Sequence, residues 1–252
     1  MLEFEERGTV SILRMVRGKG NALNADLTAA LLDGLDRLEK GPARAVVLTG
    51  QGSAFCAGVD LLALTEGGPD YVRRFLPLFA HLLERLAAYP KPLVAAVNGH
   101  AIAGGAMIVF TADQRLLARG KARMGLTEVK VGVVFSARAM EIARFATPPH
   151  LLSTLILTGR TWPPEEALAR GLVDELVEPE RLLDRACEVA EELAAIPTPT
   201  FTATKLALRR MMLEAAREQG AKTDAAVLEH WSSPGTLREA AKFVSQAIKR
   251  HG

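Results

Sequence analysis

Short runs of β-branched and aliphatic residues alternate along this chain with longer stretches in which apolar residues recur every third or fourth position. Thr9–Val16 (TVSILRMV) and Ala43–Gly50 (ARAVVLTG) show the first pattern and are predicted strands. Between them, Asn24–Leu38 shows the second and predicts a helix, with Asn24 or Asp26 as its N-cap. Lys91–Gly99 (KPLVAAVNG) reads as a third strand, stopped at Asn-Gly, and Asp113–Ala118 (DQRLLA) as a fourth. Strands this apolar, separated by helical stretches, imply an α/β architecture with buried strands.

From Ala137 onward the pattern turns helical. Trp162–Leu172 (WPPEEALARGL) places Pro just inside a helix start and Gly just past its end. A short strand, Val173–Val177, follows. Helices are then predicted over Pro179–Ala195, Pro199–Glu218, Thr223–Trp231 and Pro234–Arg250. No internal sequence repeat is visible. The expected organisation is an α/β core over residues 1–195 and a helical region over 196–252.

Composition narrows the function classes. A chain of 252 residues, 49% hydrophobic and 24% charged, has ample material for a folded core and does not resemble a disordered one. The net charge of +2, with 5% aromatic residues and no basic run interleaved with aromatics, disfavours nucleic acid. Cys56 and Cys187 make no disulfide framework, and no Cys/His spacing suits a metal. The opening MLEFEERG lacks the apolar core of a signal peptide, and no apolar run reaches membrane-spanning length, so a cytoplasmic setting is expected.

Two segments join a strand end, a small-residue turn and a helix start: Val46–Leu64 (VVLTGQGSAFCAGVDLLAL) and Val94–Phe110 (VAAVNGHAIAGGAMIVF). Glycines there let a ligand approach the backbone, and helix N-termini offer unpaired N–H donors to a phosphate or a developing oxyanion. The first is no dinucleotide fingerprint, because Phe55 stands at the third glycine position, and no Gly-Lys-Ser/Thr occurs. On spacing alone, tight turns and close helix–strand packing are the better account of these glycines. Asp60 is a candidate N-cap, while Cys56 and His100 read as structural. Glu128, in Ala122–Val133 (ARMGLTEVKVGV), is either a solvated loop acid or a carboxylate whose apolar surroundings raise its pKa and fit it to carry a proton.

Taken together, AFCAGVDL (Ala54–Leu61), KPLVAAVNGHAIAGGA (Lys91–Ala106) and GLTEVKVG (Gly125–Gly132) resemble the crotonase, or enoyl-CoA hydratase/isomerase, superfamily in order and spacing. Arg160–Val177 and Gly20–Leu27 (GNALNADL) resemble two further signatures, and the likeness spans residues 8–195. The resemblance implies a spiral of ββα units that binds an acyl-CoA thioester, followed by helices that assemble trimers or hexamers. It needs no cofactor beyond the CoA of the substrate. It implies an oxyanion hole made by the backbone N–H groups of Val59 and Gly104. Ala22, Leu23 and Ala57 would line the CoA path, and Gly58, Asp60, Gly105, Met107 and Phe135 would border the substrate.

In the family's hydratases the position of Met107 carries one of two glutamates that activate water. Here only the second remains, as Glu128. A thioether neither delivers a proton nor anchors water strongly. The pattern is closest to the Δ3,Δ2-enoyl-CoA isomerases, which have an apolar residue at the first position and a lone glutamate in a GL-x-E segment. Asp113–Ala118 resembles their D-x-R-I-L-A strand. Thr127 and Ser136–Phe145 depart from the hydratase pattern beside the acyl pocket. The expected chemistry is therefore a single-glutamate proton shuttle. Hydration, decarboxylation or hydrolysis of an acyl-CoA, and non-catalytic acyl-CoA binding, are the alternatives on the same scaffold.

Overall fold

The alternation of strand and helix builds two sheets, and the chain winds between them. The computed structural model describes residues 1–251, with side chains as far as position 246. An antiparallel pair, β1 (Leu2–Arg7) and β2 (Val10–Met15), comes first. The helix α1 (Ala25–Lys40) is capped by Asn24, whose side chain accepts the Leu27 N–H at 2.8 Å. Three units of strand, strand and helix follow. In the first, β3 (Ala45–Gly50) and β4 (Ala54–Cys56) precede α2 (Leu61–Ala87). In the second, β5 (Leu93–Val97) and β6 (His100–Ile102) precede α3 (Gly104–Thr111). In the third, β7 (Gln114–Ala118) and β8 (Met124–Gly125) precede α4 (Glu128–Val131). The first strand of each unit joins the large sheet and the second joins the small one, which is the expected ββα spiral.

The chain continues through α5 (Ala137–Ala146), α6 (Pro149–Thr158), β9 (Thr161–Trp162), α7 (Pro164–Ala169), β10 (Glu175–Val177) and α8 (Leu182–Ala194). It closes with α9 (Thr198–Ser232) and α10 (Pro234–His251). The large sheet runs β1-β2-β3-β5-β7-β10 and the small one β4-β6-β8-β9. In the large sheet only β1 is antiparallel, and every residue of β3 and β5 is buried, as expected of strands covered on both faces.

Three departures from the sequence pattern have physical causes. The separate helices expected over Pro199–Glu218 and Thr223–Trp231 are one, α9. Gly220 does not break it, because α9 packs there against α5. A Cβ on Gly220 would lie 3.0 Å from Arg138 Nη1, so the glycine serves close approach. The helix that starts after Asp60 runs well past Leu64, through the whole of α2, and is kinked where Gly68 takes φ +62° and ψ −157° ahead of Pro69. Leu2–Arg7, acidic and weakly patterned, pairs as an edge strand with Leu2 and Phe4 turned onto α1 beside Gly34.

A buried ionic knot fastens α9 to the spiral. The Asp113 carboxylate accepts from Lys205 Nζ at 2.7 Å, Arg209 Nη2 at 2.8 Å and the Leu93 N–H at 2.8 Å. Arg209 also donates to the carbonyls of Ala87, Thr111 and Ala112. Burial pushes the Lys205 ammonium down to about 8 despite its partner. Among the described residues no helix is long and apolar enough to cross a membrane, and no cluster of His, Cys, Asp and Glu is arranged to hold a metal.

Candidate active site

The second and third ββα units meet the first at the N-terminus of α3. Every residue of α3 is buried, so this helix belongs to the core and its first N–H groups need partners or a ligand. Its approach to the small sheet requires glycine: a Cβ on Gly105 would fall 2.1 Å from the Cys56 carbonyl oxygen. Gly58, at φ +92°, packs against the same turn, where a Cβ would lie 2.8 Å from the Ile102 oxygen and 3.5 Å from the Gly104 nitrogen.

The backbone bridge between Leu23 and Val59 orients the next donor. The Leu23 N–H donates to Gly58 O at 2.8 Å, and the Asp60 N–H donates to Leu23 O at 2.9 Å. Both bonds lie on one side of Val59, so the Val59 N–H is turned the other way. Among the described residues neither the Val59 N–H nor the Gly104 N–H has an acceptor. Between them Ala103 adopts φ +50° and ψ −120°, a conformation that costs a non-glycine residue about 1–3 kcal/mol. Two bonds hold it there: its N–H donates to Gly125 O at 2.8 Å, and its carbonyl accepts the Met107 N–H at 2.9 Å. Strain concentrated beside two free donors makes this turn a candidate site.

Val59, Gly104, Ala57, Met107, Glu128 and Phe135 line one cavity of about 160 Å³. Its other walls are overwhelmingly apolar. Leu76 and Phe79 come from α2, Phe79 being the last of a stacked series with Phe75 and Tyr71 at 5.8 Å centroid spacings. Val227, Trp231 and Phe243 come from α9 and α10 of the same chain. The remaining expected site residues support this cavity from behind. Leu23 is fully buried and its Cδ1 would touch a Cβ on Gly104 at 3.3 Å. Asp60 caps α2 through the Ala63 N–H and pairs with Arg17 at 2.8 Å, while Arg17 also donates to Ala22 O. Gly58 and Gly105 shape the turn as described.

Glu128 opens α4 and is 8% exposed, with Oε2 lacking any hydrogen-bond partner among the described residues. Burial raises its carboxyl pKa to about 7, opposed only in part by the N–H groups of Glu128 and Thr127. Met107, 1% exposed, presents its thioether to the same cavity. The two side chains read as structural are so. Cys56 is completely buried with its thiol pushed up to about 12, and His100 Nδ1 accepts the Arg123 N–H at 3.1 Å. The C-terminal wall of Val227, Trp231 and Phe243 escapes sequence reasoning, since each lies on a helix whose apolar stripe predicts only burial. Ala103 escapes too, because nothing in its residue type announces a positive φ.

The buried acid has a consequence for stability. The folded chain holds the Glu128 proton more tightly than the unfolded chain, whose carboxyl has the ordinary value of 4.5. Raising the pH from 4.5 through 7 therefore removes stability, and the loss is complete above 7. Relative to wild type, Glu128→Gln should gain about 3 kcal/mol on going from pH 4 to pH 8. Urea midpoints of both proteins at the two pH values measure this, and a pH-independent difference would show a solvated carboxylate.

The enoyl-CoA hydratase/isomerase family model matches residues 5–244. A Thermus thermophilus protein, provisionally named an enoyl-CoA hydratase, is 40% identical over 226 residues, covering 87% of each chain. The (E)-benzylidenesuccinyl-CoA hydratase of Thauera aromatica is 36% identical over 193 residues, 74% of this chain and 73% of that one. The crystal structure of human mitochondrial Δ3,Δ2-enoyl-CoA isomerase superposes with a TM-score of 0.94 at 23% identity, over 100% of this chain and 99% of the other, a likeness of fold. With a family model matching residues 5–244 and a relative 40% identical over 87% of each chain, the protein is a member of the enoyl-CoA hydratase/isomerase family, within the crotonase superfamily of acyl-CoA enzymes.

Proposed function

We propose that this protein moves the double bond of a 3-enoyl-CoA to the 2-position by a proton shuttle on Glu128. The observation that carries the reading is a lone carboxylate, with a free oxygen, in an apolar cavity shared with two unpartnered backbone donors. The thioester carbonyl oxygen accepts from the N–H groups of Val59 and Gly104. Glu128 takes a proton from C2, the electrons spread over C2, C3, C4 and the carbonyl as a dienolate, and the two donors hold the oxyanion. The same carboxyl then returns its proton to C4, leaving the double bond between C2 and C3. One donor of this kind contributes ~3–4 kcal/mol to such a step. A base with its pKa at about 7 has a large ionised fraction at neutral pH and still returns the proton readily.

Hydration is the second reading, favoured by the names of the relatives in Thermus and Thauera. Met107 speaks against it: among the described residues lining the cavity Glu128 is the one carboxylate, so a water would lack a second carboxylate anchor. Incubation with a 3-enoyl-CoA and, separately, a 2-enoyl-CoA in D2O, followed by mass spectrometry and chromatography of the isomers, separates the two. Migration of the double bond without gain of water is expected. Water addition to the 2-enoyl thioester, with no migration, would overturn the proposal.

A further inference from the structure

The segment that follows Glu128 is held from outside the spiral. The N–H groups of Gly132 and Val133 both donate to the Glu128 carbonyl, the latter at 3.2 Å, so residues 132–133 and the start of α4 move as one piece. The last turn of α9 grips that piece by two carbonyls. Trp231 Nε1–H donates to Val134 O at 2.8 Å, and His230 Nε2 lies 3.0 Å from Gly132 O. His230 is exposed, so its bond competes with water. Trp231 is 6% exposed, and among the described residues its indole donor has no other acceptor. The same indole forms part of the cavity wall with Phe243, Val133 and Val131.

From this arrangement we infer that Trp231 is a positioning residue for Glu128: it fixes the Gly132–Val134 segment, to which the Glu128 carbonyl is bonded, and closes the cavity over the carboxylate against water. The inference deepens the proton-shuttle reading and rests on Glu128 being the base. A proton carrier that must reach two carbons of one substrate tolerates little displacement, and a base in contact with bulk water loses its apolar setting. The charged or titratable side chains around the segment leave this role to the indole. Lys130 on α4 lays its stem over Gly159, and Glu239 on α10 lays its stem against Gly132. His230 on α9 is turned to the Gly132 carbonyl. Among the described residues none of them pairs with the Glu128 carboxylate.

Two variants test it. Trp231→Phe keeps an aromatic wall and deletes the donor, and Trp231→Leu opens the wall as well. The first readout is steady-state turnover of a 3-enoyl-CoA. Trp231→Phe should lose about tenfold in kcat with KM nearly unchanged, and Trp231→Leu more. The second needs no substrate: the protonation midpoint of the Glu128 carboxyl, followed by infrared spectroscopy with Glu128→Gln as the subtraction reference. It should fall towards the ordinary carboxylate range in both variants, further in Trp231→Leu. A folded Trp231→Phe with wild-type kcat and midpoint would overturn the inference, as would lowered thermal stability with both readouts unmoved, which marks a purely structural tryptophan. If the wild type fails to turn over any 3-enoyl-CoA while the midpoint still shifts in the variants, the isomerase reading fails and the positioning role stands.

Discussion

Glu128→Gln should abolish double-bond migration, lowering kcat by about 10³-fold, while the affinity for the CoA thioester stays within a small factor. The amide matches the carboxylate in shape, and the donors of Val59 and Gly104 are untouched, so the substrate is still held. What disappears is the one carboxylate among the described residues lining the cavity, which the proposal makes the base. The wild-type rate should fall on the acid side with a midpoint near the carboxyl pKa of about 7, because only the ionised form accepts the C2 proton. In D2O the variant should also fail to exchange deuterium into the C2 position, which separates a lost base from slow product release. Retained migration, or a rate that stays flat below pH 5, would remove Glu128 from the mechanism. The same substitution should stabilise the protein at pH 8, so loss of activity through misfolding is excluded by the experiment itself. On the proposed reading, Glu128 costs stability in the resting protein and supplies rate, the trade expected where a charge is kept from water.

Asp113→Ala should be the most damaging substitution in the buried network, destabilising the fold by about 3–5 kcal/mol. Asp113 is the shared acceptor of Lys205 and Arg209, and its removal leaves two buried cations facing carbonyls alone. The Leu93 N–H at the start of β5 loses its acceptor as well. Lys205→Met should cost far less, about 1–2 kcal/mol, since Arg209 continues to neutralise Asp113 and the departing ammonium already resists burial. Urea unfolding of the two single variants gives the comparison. Equal losses would mean that Lys205, rather than the carboxylate, is the centre of the knot.

The parts of the fold legible from the chain are those written in local pattern. The inner strands β3 and β5 are buried throughout and almost wholly apolar, β7 ends in the apolar run Leu116–Ala118, Asn24 and Asp60 stand where helices start, and Pro164 and Gly171 bracket α7. The two-residue strands β8 and β9 are not legible, because they exist only through their pairing with each other and with β6. The unbroken α9 is not legible either, since Gly220 signals a stop unless the neighbouring Arg138 is known. For the site, Glu128, Met107, Val59 and Gly104 are legible through the motifs that carry them, and the cavity brings them together. Phe79, Trp231 and Phe243 are set by tertiary approach alone. Their residue types say that they are buried and say nothing about what they face.

The bond from Trp231 to the carbonyl of Val134 joins residues 97 positions apart in the chain. During synthesis, at about 5–20 residues per second, the spiral waits on the order of 5–20 s between completing the Glu128 segment and receiving its wall. Throughout that interval the Glu128 segment lacks the part of its cavity wall that Val227, Trp231 and Phe243 supply. On the proton-shuttle reading, a chain stopped before α9 is complete has Val59, Gly104 and Glu128 but lacks the wall that Trp231 and Phe243 give their cavity.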